Sequence, residues 1–426
     1  MLMVVIFIAL VAMICINVPI AVALAVSAII GLLATEGTDS LVTIALDMYD
    51  GSTKFSLIAI PMFVLAGAIM NAGGITDRLI NFVSALIGFV RGGLAMVNIG
   101  VSLFFAEISG SAVADVAALG SILIPQMKKR GYSGPFAAAV TSSSASLAII
   151  IPPSIPMILY ATSANTSVEQ LFVAGVVPGL MGAFGLMFVA YIFARRYDLP
   201  TEEAFNTRRL KETLLDALPA FSLPVIILGG IFGGFVTATE TAGLAVIAEL
   251  LVGAWYRQMD FRHLRRAMLD GGMQTAVVML LVAASVLMGG FLTRAQMPQQ
   301  LAEWLLHLTS NQYVILAILN VFFLVIGFFL HSAAAIILVI PIVIPLIEQS
   351  GIDPVHFGLV VTLNLAIGQQ TPPVASVLIT SCAVARANIW QVSKINVWFV
   401  MVLLAVLLMC TYIPAIPMFL VEYFYR

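Results

Sequence analysis

Two proline pairs, Pro152-Pro153 and Pro372-Pro373, each interrupt an apolar segment of helix length. Proline lacks an amide donor and clashes with the carbonyl one turn earlier, so neither segment can remain a continuous helix. The carbonyl groups freed at each break can coordinate a cation, and the N-termini of the half-helices can face an anion. Thr371 directly precedes the second pair, and its carbonyl and hydroxyl oxygens are both suitable ligands for a hard cation. An alternative interpretation is that each pair is only a packing kink.

A stretch of small residues precedes the first proline pair. Ser109-Gly110-Ser111 cannot comfortably continue a helix, and a helical pattern resumes at Ala112, which predicts the tip of a re-entrant hairpin. Asp115 would then lie at membrane depth, where carboxylates are costly and usually functional, although it could instead be a structural acid near the tip. Ser109 and Ser111 are candidate ligands, but small residues also permit close helix packing.

A similar arrangement precedes the second proline pair. Gly327 and His331 lie near the expected tip of a second hairpin. Asn364 is a polar residue in an apolar span, which favours a functional role. A run of serines that includes Ser144 leads into the first pair, where some members are expected to line a cavity and others to pack.

The composition places these residues in a membrane. Of 426 residues, 62% are hydrophobic and only 9% are charged, with a mean hydropathy of +1.10. Soluble domains do not have this composition, and apolar segments long enough to cross a bilayer recur along the chain. We therefore predict an all-α polytopic membrane protein. The net charge of −2 gives no indication of a nucleic-acid partner.

Catalytic and metal-binding patterns are not recognisable in the sequence. The three cysteines lie in apolar segments without disulfide or metal spacing, and none of the four histidines is in a metal or Ser–His arrangement. The chain also has no recognisable ATP-binding loop. We expect no enzyme activity and no cofactor other than coupling ions.

The prolines recur at a single offset. Pro125, Pro152 and Pro153 each have a second proline 220 residues further along the chain. With 19 prolines in the whole sequence, three such matches without a gap are not expected by chance. We conclude that the chain contains two structural repeats.

The repeats divide the chain into four parts, and boundaries of this kind are uncertain by several residues. We predict an N-terminal part at 1–50, with a span over about 3–34 and an amphipathic arm, and a first repeat at 51–196, with a hairpin at about 93–126 and a broken helix at 152–153. Connecting helices and basic loops are expected at 197–270. The second repeat is expected at 271–426, with a hairpin at about 313–345, a broken helix at 372–373 and a last span over about 396–421.

Loop charge indicates that the repeats are inverted. The loop "MKKRGY" at 127–132 is basic, whereas its counterpart "IEQSGI" at 347–352 is acidic to neutral. Because Lys and Arg concentrate in short cytoplasmic loops, the two equivalent loops should face opposite sides of the membrane. The same rule places the basic loops at 128–130, 195–211 and 257–266 on one side. Inverted repeats with broken helices at matching positions are typical of secondary transporters.

Five motifs of the sequence resemble those of a known family. "SGSAVADVAALGSILIPQMKKRGY", "IIIPPSIPMILYA", "TATETAG", "GIDPVHFG" and "NLAIGQQTPPV" are similar, in order, to motifs of the large membrane subunit of tripartite ATP-independent periplasmic (TRAP) transporters. The resemblance implies an ion-transporter-like elevator architecture, with a scaffold and a transport domain, in the bacterial inner membrane. It also implies coupling to sodium, a small four-helix membrane subunit, and a soluble periplasmic binding protein that delivers a small organic acid.

The resemblance and the hairpin pattern together give a set of site residues. Those expected to bind sodium are Ser109, Gly110, Ser111, Asp115, Gly327, Gly368, Thr371, Pro372 and Val374. Those expected to bind substrate are Ser111, Ser144, Pro153, Ser154, His331 and Asn364.

Two residues depart from the family pattern. His331 stands where the family usually has Asp, and Ala375 stands where it usually has Gly. We expect His331 to be a neutral hydrogen-bond partner near the substrate rather than an ion ligand, or alternatively a packed histidine bonded to a hairpin carbonyl. A proton-coupled or exchange carrier of the same architecture, and an ion channel, remain alternatives to the sodium-driven carrier.

Overall fold

The fold consists of helices. The computed structural model describes residues 2–16, 18–201, 204–257, 259–372 and 374–425. No strand occurs among these residues. Nine helices in this described part are long and apolar enough to cross a membrane, or ten if Thr207–Ala217 and Ser222–Phe232 form one bent span. The expected all-α polytopic membrane protein is confirmed.

The N-terminal region contains three helices. They are α1 (Leu2–Cys15), α2 (Ile20–Glu36) and α3 (Ser40–Ser52), with a 3₁₀ turn at Gly37–Asp39. The prediction of one span over 3–34 is wrong, because Pro19 directly precedes α2 and has no amide hydrogen with which to continue the ladder from α1.

The first repeat contains eight helices after a 3₁₀ turn at Phe55–Ile58. They are α4 (Ala59–Ala72), α5 (Ile75–Ile87), α6 (Gly93–Ser109), α7 (Ala112–Lys129), α8 (Gly134–Ala145), α9 (Leu147–Ile150), α10 (Ile155–Ser163) and α11 (Val168–Arg196).

The connecting segment begins with an amphipathic helix and ends with a span. Its helices are α12 (Thr207–Ala217), α13 (Ser222–Pro224), α14 (Gly230–Phe232) and α15 (Ala238–Trp255), with a π-helical stretch at Val225–Gly229. The motif "TATETAG" starts α15 with a capping box, in which Thr237 and Glu240 each bond to the other's backbone amide.

The second repeat contains a further eight helices. They are α16 (Phe261–Arg294), α17 (Met297–Leu308), α18 (Gln312–Phe329), α19 (Ser332–Gln349), α20 (Pro354–Gly368), α21 (Ser376–Ala385), α22 (Ile389–Tyr412) and α23 (Ala415–Tyr425). The prediction of a single last span over 396–421 is wrong, because Pro414 separates α22 from α23.

The helix bounds repeat at the offset found in the prolines. Helices α7 and α19 begin and end 220 residues apart, at 112–129 and 332–349. The helices before them, α6 and α18, end at 109 and 329, and the helices after them, α8 and α20, begin at 134 and 354. Each repeat therefore contains a helical hairpin followed by a broken helix.

The two broken helices run in opposite directions. The first begins at Gly134, where an added Cβ would lie 3.7 Å from the carbonyl oxygen of Ala385, at the end of the second. The second begins at Pro354, whose carbonyl oxygen accepts a hydrogen bond of 2.7 Å from the Tyr160 hydroxyl near the end of the first. Because each start lies beside the other's end, the repeats have inverted topology.

Basic residues lie together at the Gly134 end of the broken helices. Lys129 and Arg209 line one cavity beside the end of α7. The Tyr256 hydroxyl, directly after α15, donates to the carbonyl oxygen of Asp216 at 2.7 Å, which brings the third basic loop to this face. The positive-inside rule assigns this face to the cytoplasm.

The opposite face carries acidic residues and one well-placed arginine. Arg294, at the end of α16, pairs with Asp47 at 2.9 Å and with Glu36 at 3.5 Å. These contacts join the C-terminal ends of α2 and α16 to the middle of α3 on the side away from the basic loops.

The helices form two groups by their packing. The peripheral body consists of α1–α4, α15 and α16, of which α1, α2, α3 and α16 share an apolar core of their own. The hairpin body consists of α6–α11 and α18–α22, in which α7 packs on α8 and α21 and α19 packs on α10 and α20. The two bodies meet where α16 contacts α19 and where α4 contacts α6.

Candidate substrate and ion site

The first hairpin tip lies directly against the first helix break. Helix α6 ends at Ser109, Gly110 adopts a left-handed conformation with φ +57°, and Ser111 is extended before α7. A Cβ added to Gly110 would lie 3.2 Å from both the Pro153 carbonyl oxygen and the Ile155 amide nitrogen. Glycine suits both the positive φ and this close approach. The structure therefore brings the predicted Gly110 and Pro153 together.

A carboxyl group lies just behind this tip. Asp115 is in the first turn of α7 and is 1% exposed. The N-terminal end of a helix carries partial positive charge, which stabilises an ionised carboxylate at this position. The predicted Ser111 is half-buried beside it, whereas the side chain of the predicted Ser109 lies outside the part of the chain that is described.

The second hairpin contacts the second break through two glycines. A Cβ added to Gly368 would lie 2.5 Å from the Cα of Gly327. The backbones of α18 and α20 therefore touch, and any side chain at either position would push them apart. The structure brings these two predicted residues together, and their role there is close packing of the hairpin on the break.

His331 occupies the N-cap of α19 at the second hairpin tip. Its backbone is extended, with φ −63° and ψ 146°, and its side chain makes no capping bond. The ring is exposed and makes no hydrogen bond within the described part of the chain. The next residue, Ser332, is 1% exposed, and its hydroxyl has no hydrogen-bond partner among the described residues. His331 is thus free to face a ligand at the tip.

The second break exposes oxygen ligands. The Thr371 hydroxyl donates to the Ile367 carbonyl oxygen at 3.1 Å, which leaves its lone pairs available to a cation. The predicted Pro372 is half-buried, Val374 is 42% exposed, and Pro373 lies outside the described residues. No cluster of three or more His, Cys, Asp or Glu that could hold a metal occurs in the described part of the chain.

Ala375 lies directly after the second break in a strained backbone conformation. Its backbone is left-handed, with φ +43° and ψ 62°, and its side chain is fully buried. Residues with a Cβ rarely adopt this conformation, which costs about 1–2 kcal/mol. The second break therefore carries backbone strain that a glycine would not have.

At the first break, Ser154 already has hydrogen-bond partners. Its hydroxyl donates to the Ile149 carbonyl oxygen at 2.7 Å and accepts from the Met157 amide at 3.4 Å. Ser154 is fully buried and serves as the N-cap of α10. The structure places this predicted substrate ligand at the break, with its oxygen engaged in ending one half-helix and starting the next.

A buried polar cluster joins the two breaks. The Gln370 side chain accepts from the Ser142 hydroxyl at 3.1 Å and from the Asn396 amide at 3.3 Å, and it donates to Ser146. The Ser146 hydroxyl also donates to the Ala366 carbonyl oxygen at 3.4 Å. These contacts connect α8, α20 and α22 where the broken helices cross, so the cluster fixes one break relative to the other.

Ser144 and Asn364, which are 220 residues apart, have equivalent contacts. Ser144 bonds to Asn98 at 3.2 Å and to Ser102 at 3.0 Å, both on α6. The Asn364 amide donates to the Asn320 side-chain oxygen on α18 at 2.7 Å. Both residues are fully buried. Each joins a broken helix to the arm of its own hairpin, so neither faces an open cavity in this conformation.

The arrangement of hairpins and broken helices has a counterpart among known proteins. The protein-family model for the DctM component of the tripartite ATP-independent periplasmic transporters matches residues 7–416 of the sequence. The chain belongs to this family.

Curated relatives of this DctM-family chain agree with the assignment. It is 38% identical, over 95% of its length, to the isethionate TRAP transporter permease protein DctMQ of Oleidesulfovibrio alaskensis. It spans only 64% of that relative's length. It is also 38% identical to the C4-dicarboxylate TRAP transporter large permease protein DctM of Pseudomonas aeruginosa, over 89% of both chains. The resemblance read from the sequence is confirmed, and the family is one of transporters rather than enzymes.

A solved structure shares the fold. The crystal structure of the Alcanivorax borkumensis YdaH transporter aligns with a TM-score of 0.64 over 89% of both chains, at 15% identity. At this identity the likeness supports the fold alone. It agrees with the helical fold of the DctM-family chain.

Sequence reasoning missed three of the polar residues that build the site. Asn98, Asn320 and Asn396 are each at most 5% exposed and bond to residues of the broken helices. Each is a single asparagine within an apolar run, as in "AMVNIG", "AILNVFF" and "KINVWF". An isolated amide inside a membrane span is costly unless it is bonded, and that signal was available in the sequence.

Proposed function

We propose that this chain is the translocation subunit of a sodium-gradient-driven importer in the bacterial inner membrane. The observation that carries the proposal is the pair of oppositely directed broken helices, each with a hairpin tip against its break. Such breaks free carbonyl oxygens and half-helix ends at membrane depth, where they can bind ions and substrate together. The DctM family is the membrane component of a tripartite system, which supports a small four-helix subunit and a soluble periplasmic binding protein as partners.

Sodium suits the ligands at the breaks. Thr371 supplies a hydroxyl and Asp115 a carboxylate, and freed backbone carbonyls add neutral oxygens. A hard monovalent cation is coordinated by oxygens of this kind. The predicted sodium ligands are distributed over both breaks and both tips, so we propose that ion binding fixes the hairpins in place around the substrate.

The residues of the site and the names of two relatives support a small organic acid as the substrate. Isethionate and C4-dicarboxylates, the compounds that name two relatives, are small organic anions. His331 at the second tip and the half-helix N-termini at the breaks provide donors for such an anion. We propose that Ser111, Pro153 and His331 face the substrate, with Ser144, Ser154 and Asn364 holding the surrounding backbone.

The division into two bodies supports an elevator movement. A cavity of about 230 Å³ lies between α16 of the peripheral body and the α10 and α19 helices of the hairpin body. Incomplete packing at this interface lets one body slide against the other, whereas the polar cluster at the crossing keeps the hairpin body intact. We propose that the hairpin body carries ions and substrate across the membrane as a unit.

Reconstitution tests the proposed function and its alternatives. Proteoliposomes would contain the chain, its small subunit and the substrate-loaded binding protein, with uptake driven by a sodium gradient, a pH gradient or internal substrate. We expect uptake only with the sodium gradient, and none from the chain alone. Uptake driven by the pH gradient would establish the proton-coupled alternative, for which the buried Asp115 is the candidate carboxyl group. Uptake driven only by internal substrate would establish an exchanger, and flux without counterflow a channel.

A further inference from the structure

A polar cavity of about 540 Å³ opens on the cytoplasmic face, away from the helix breaks. Helices α5, α6, α7 and α12 form its walls. Three basic side chains, Lys129, Arg130 and Arg209, face one carboxylate, Asp77, across it. Its volume is in the range of small-molecule sites. The excess of positive charge selects for an anion.

The position of Arg209 within its helix strengthens this conclusion. Arg209 lies in the first turn of α12, where Asn206 accepts hydrogen bonds from the Arg208 and Arg209 amides. The N-terminal end of a helix carries partial positive charge, so cations there are unfavourable unless an anion is nearby. Lys129 and Arg130, by contrast, lie at the C-terminal end of α7, where positive charge is favourable. Arg209 therefore adds its guanidinium charge close to the partial positive charge of the α12 N-terminus.

The cavity lies where α12 and α5 pack beside α6 and α7. Helix α5 is fixed to α12 by the Arg78–Asp216 ion pair at 3.3 Å, and the Tyr256 hydroxyl ties Asp216 to the end of α15 in the peripheral body. Lys129 belongs to α7 of the hairpin body. An anion held by both Lys129 and Arg209 would connect α7 of the hairpin body to α12, which is tied to the end of α15 through Asp216.

We propose that this cavity binds an anionic phosphate or carboxylate group, held by Lys129, Arg130 and Arg209. Arginine suits it because the guanidinium binds two oxygens of such a group at once. The group belongs either to a phospholipid head or to a soluble anion of the cytoplasm. The proposal concerns a site apart from the helix breaks and does not depend on which ion drives transport.

The test measures thermal unfolding of the purified chain in detergent. The probes are phosphatidylglycerol, phosphatidylcholine and inorganic phosphate, each titrated at low ionic strength. The variant is Lys129→Gln with Arg209→Gln. The matched control is Arg208→Gln, because Arg208 is exposed, pairs with Glu212 at 2.8 Å and does not line the cavity. Asp77→Asn removes the opposing carboxylate.

We expect saturable stabilisation of the natural protein and of Arg208→Gln. The double variant should bind at least about tenfold more weakly, since charge-assisted hydrogen bonds are lost, and Asp77→Asn should bind more tightly. Arg209→Lys should keep part of the affinity because it keeps the charge. Stabilisation by phosphatidylglycerol alone identifies a lipid head, and stabilisation by phosphate as well identifies a soluble anion. No stabilisation by either anion, or an equal response of the double variant and the natural protein, would overturn the proposal.

Discussion

Ser146 and Ala366 occupy the same position in the two repeats and contact each other. They are 220 residues apart, and the Ser146 hydroxyl donates to the Ala366 carbonyl oxygen at 3.4 Å. A residue can meet its own repeat counterpart only where the axis relating the repeats passes between them. The axis therefore runs through the crossing of the broken helices, beside the cluster around Gln370. The two breaks are joined at this crossing and should move together.

Thr371→Val tests the hydroxyl at the second break. Valine keeps the shape of threonine and removes one oxygen ligand worth about 1–3 kcal/mol, so sodium's apparent affinity should fall about five- to hundred-fold. The measurement is the sodium concentration for half-maximal uptake. Thr380→Val is the matched control, because Thr380 makes the same kind of bond, to the Ser376 carbonyl oxygen at 2.8 Å, but lies inside the half-helix α21 rather than at the break. An unchanged sodium dependence in Thr371→Val would remove this hydroxyl from the ion site.

Replacing His331 separates helix capping from charge. Aspartate and asparagine both cap helices well, so His331→Asp and His331→Asn should each stabilise the second tip by about 1 kcal/mol in thermal unfolding. Only aspartate adds a negative charge near the proposed ions. We therefore expect tighter sodium binding and weaker binding of an anionic substrate in His331→Asp alone. Equal sodium affinities of the two variants would show that an aspartate at this position acts only as a cap.

Ala375→Gly should relieve the strain at the second break. The left-handed conformation costs alanine about 1–2 kcal/mol, whereas glycine's greater freedom in the unfolded chain costs about 0.5–1 kcal/mol and loss of the buried methyl group costs about 0.8 kcal/mol. These effects nearly cancel, so the variant should unfold at nearly the same temperature as the natural protein. The control is Ala383→Gly, in an exposed turn of α21, which should lower stability by about 1 kcal/mol. A decrease of similar size in both variants would contradict the strain assigned to Ala375.

The sequence predicted the repeats and breaks because proline and glycine have direct backbone effects. Pro152-Pro153 and Pro372-Pro373 located both broken helices, and Ser109-Gly110-Ser111 located the first tip to within a residue. The ends of long apolar runs were less well predicted, since Pro19 and Pro414 divide helices that composition alone reads as continuous. These prolines were visible, but a proline near the end of a run can also start a helix.

Contacts between side chains could not be read from the sequence. The pairing of Asn364 with Asn320, and of Gln370 with Ser142 and Asn396, depends on how three or more helices cross. Periodicity indicates which face of a helix is apolar, but it does not indicate which polar residue meets which partner. The same limit explains why Ser144 and Asn364 were expected to face substrate and are instead bonded to the hairpin arms.

Movement of the hairpin body against the peripheral body is the central claim, and a disulfide between the bodies tests it most directly. An added Cβ at Gly289 of α16 would lie 3.7 Å from the Cβ of Pro341 on α19, which matches disulfide geometry. Gly289→Cys with Pro341→Cys, in a background with the native cysteines replaced by alanine, would be oxidised and then assayed for uptake. The control is Gly185→Cys with Val402→Cys, whose Cβ atoms would be 3.8 Å apart between α11 and α22 of the hairpin body.

We predict that oxidation abolishes uptake by the Gly289–Pro341 double variant and that a reductant restores it. The oxidised Gly185–Val402 double variant should transport as fast as the same variant with its cysteines reduced, because both cysteines move with the same body. Mass spectrometry would establish that the disulfide has formed in each case. Undiminished uptake by fully oxidised protein with the Gly289–Pro341 disulfide would contradict an elevator movement of the hairpin body.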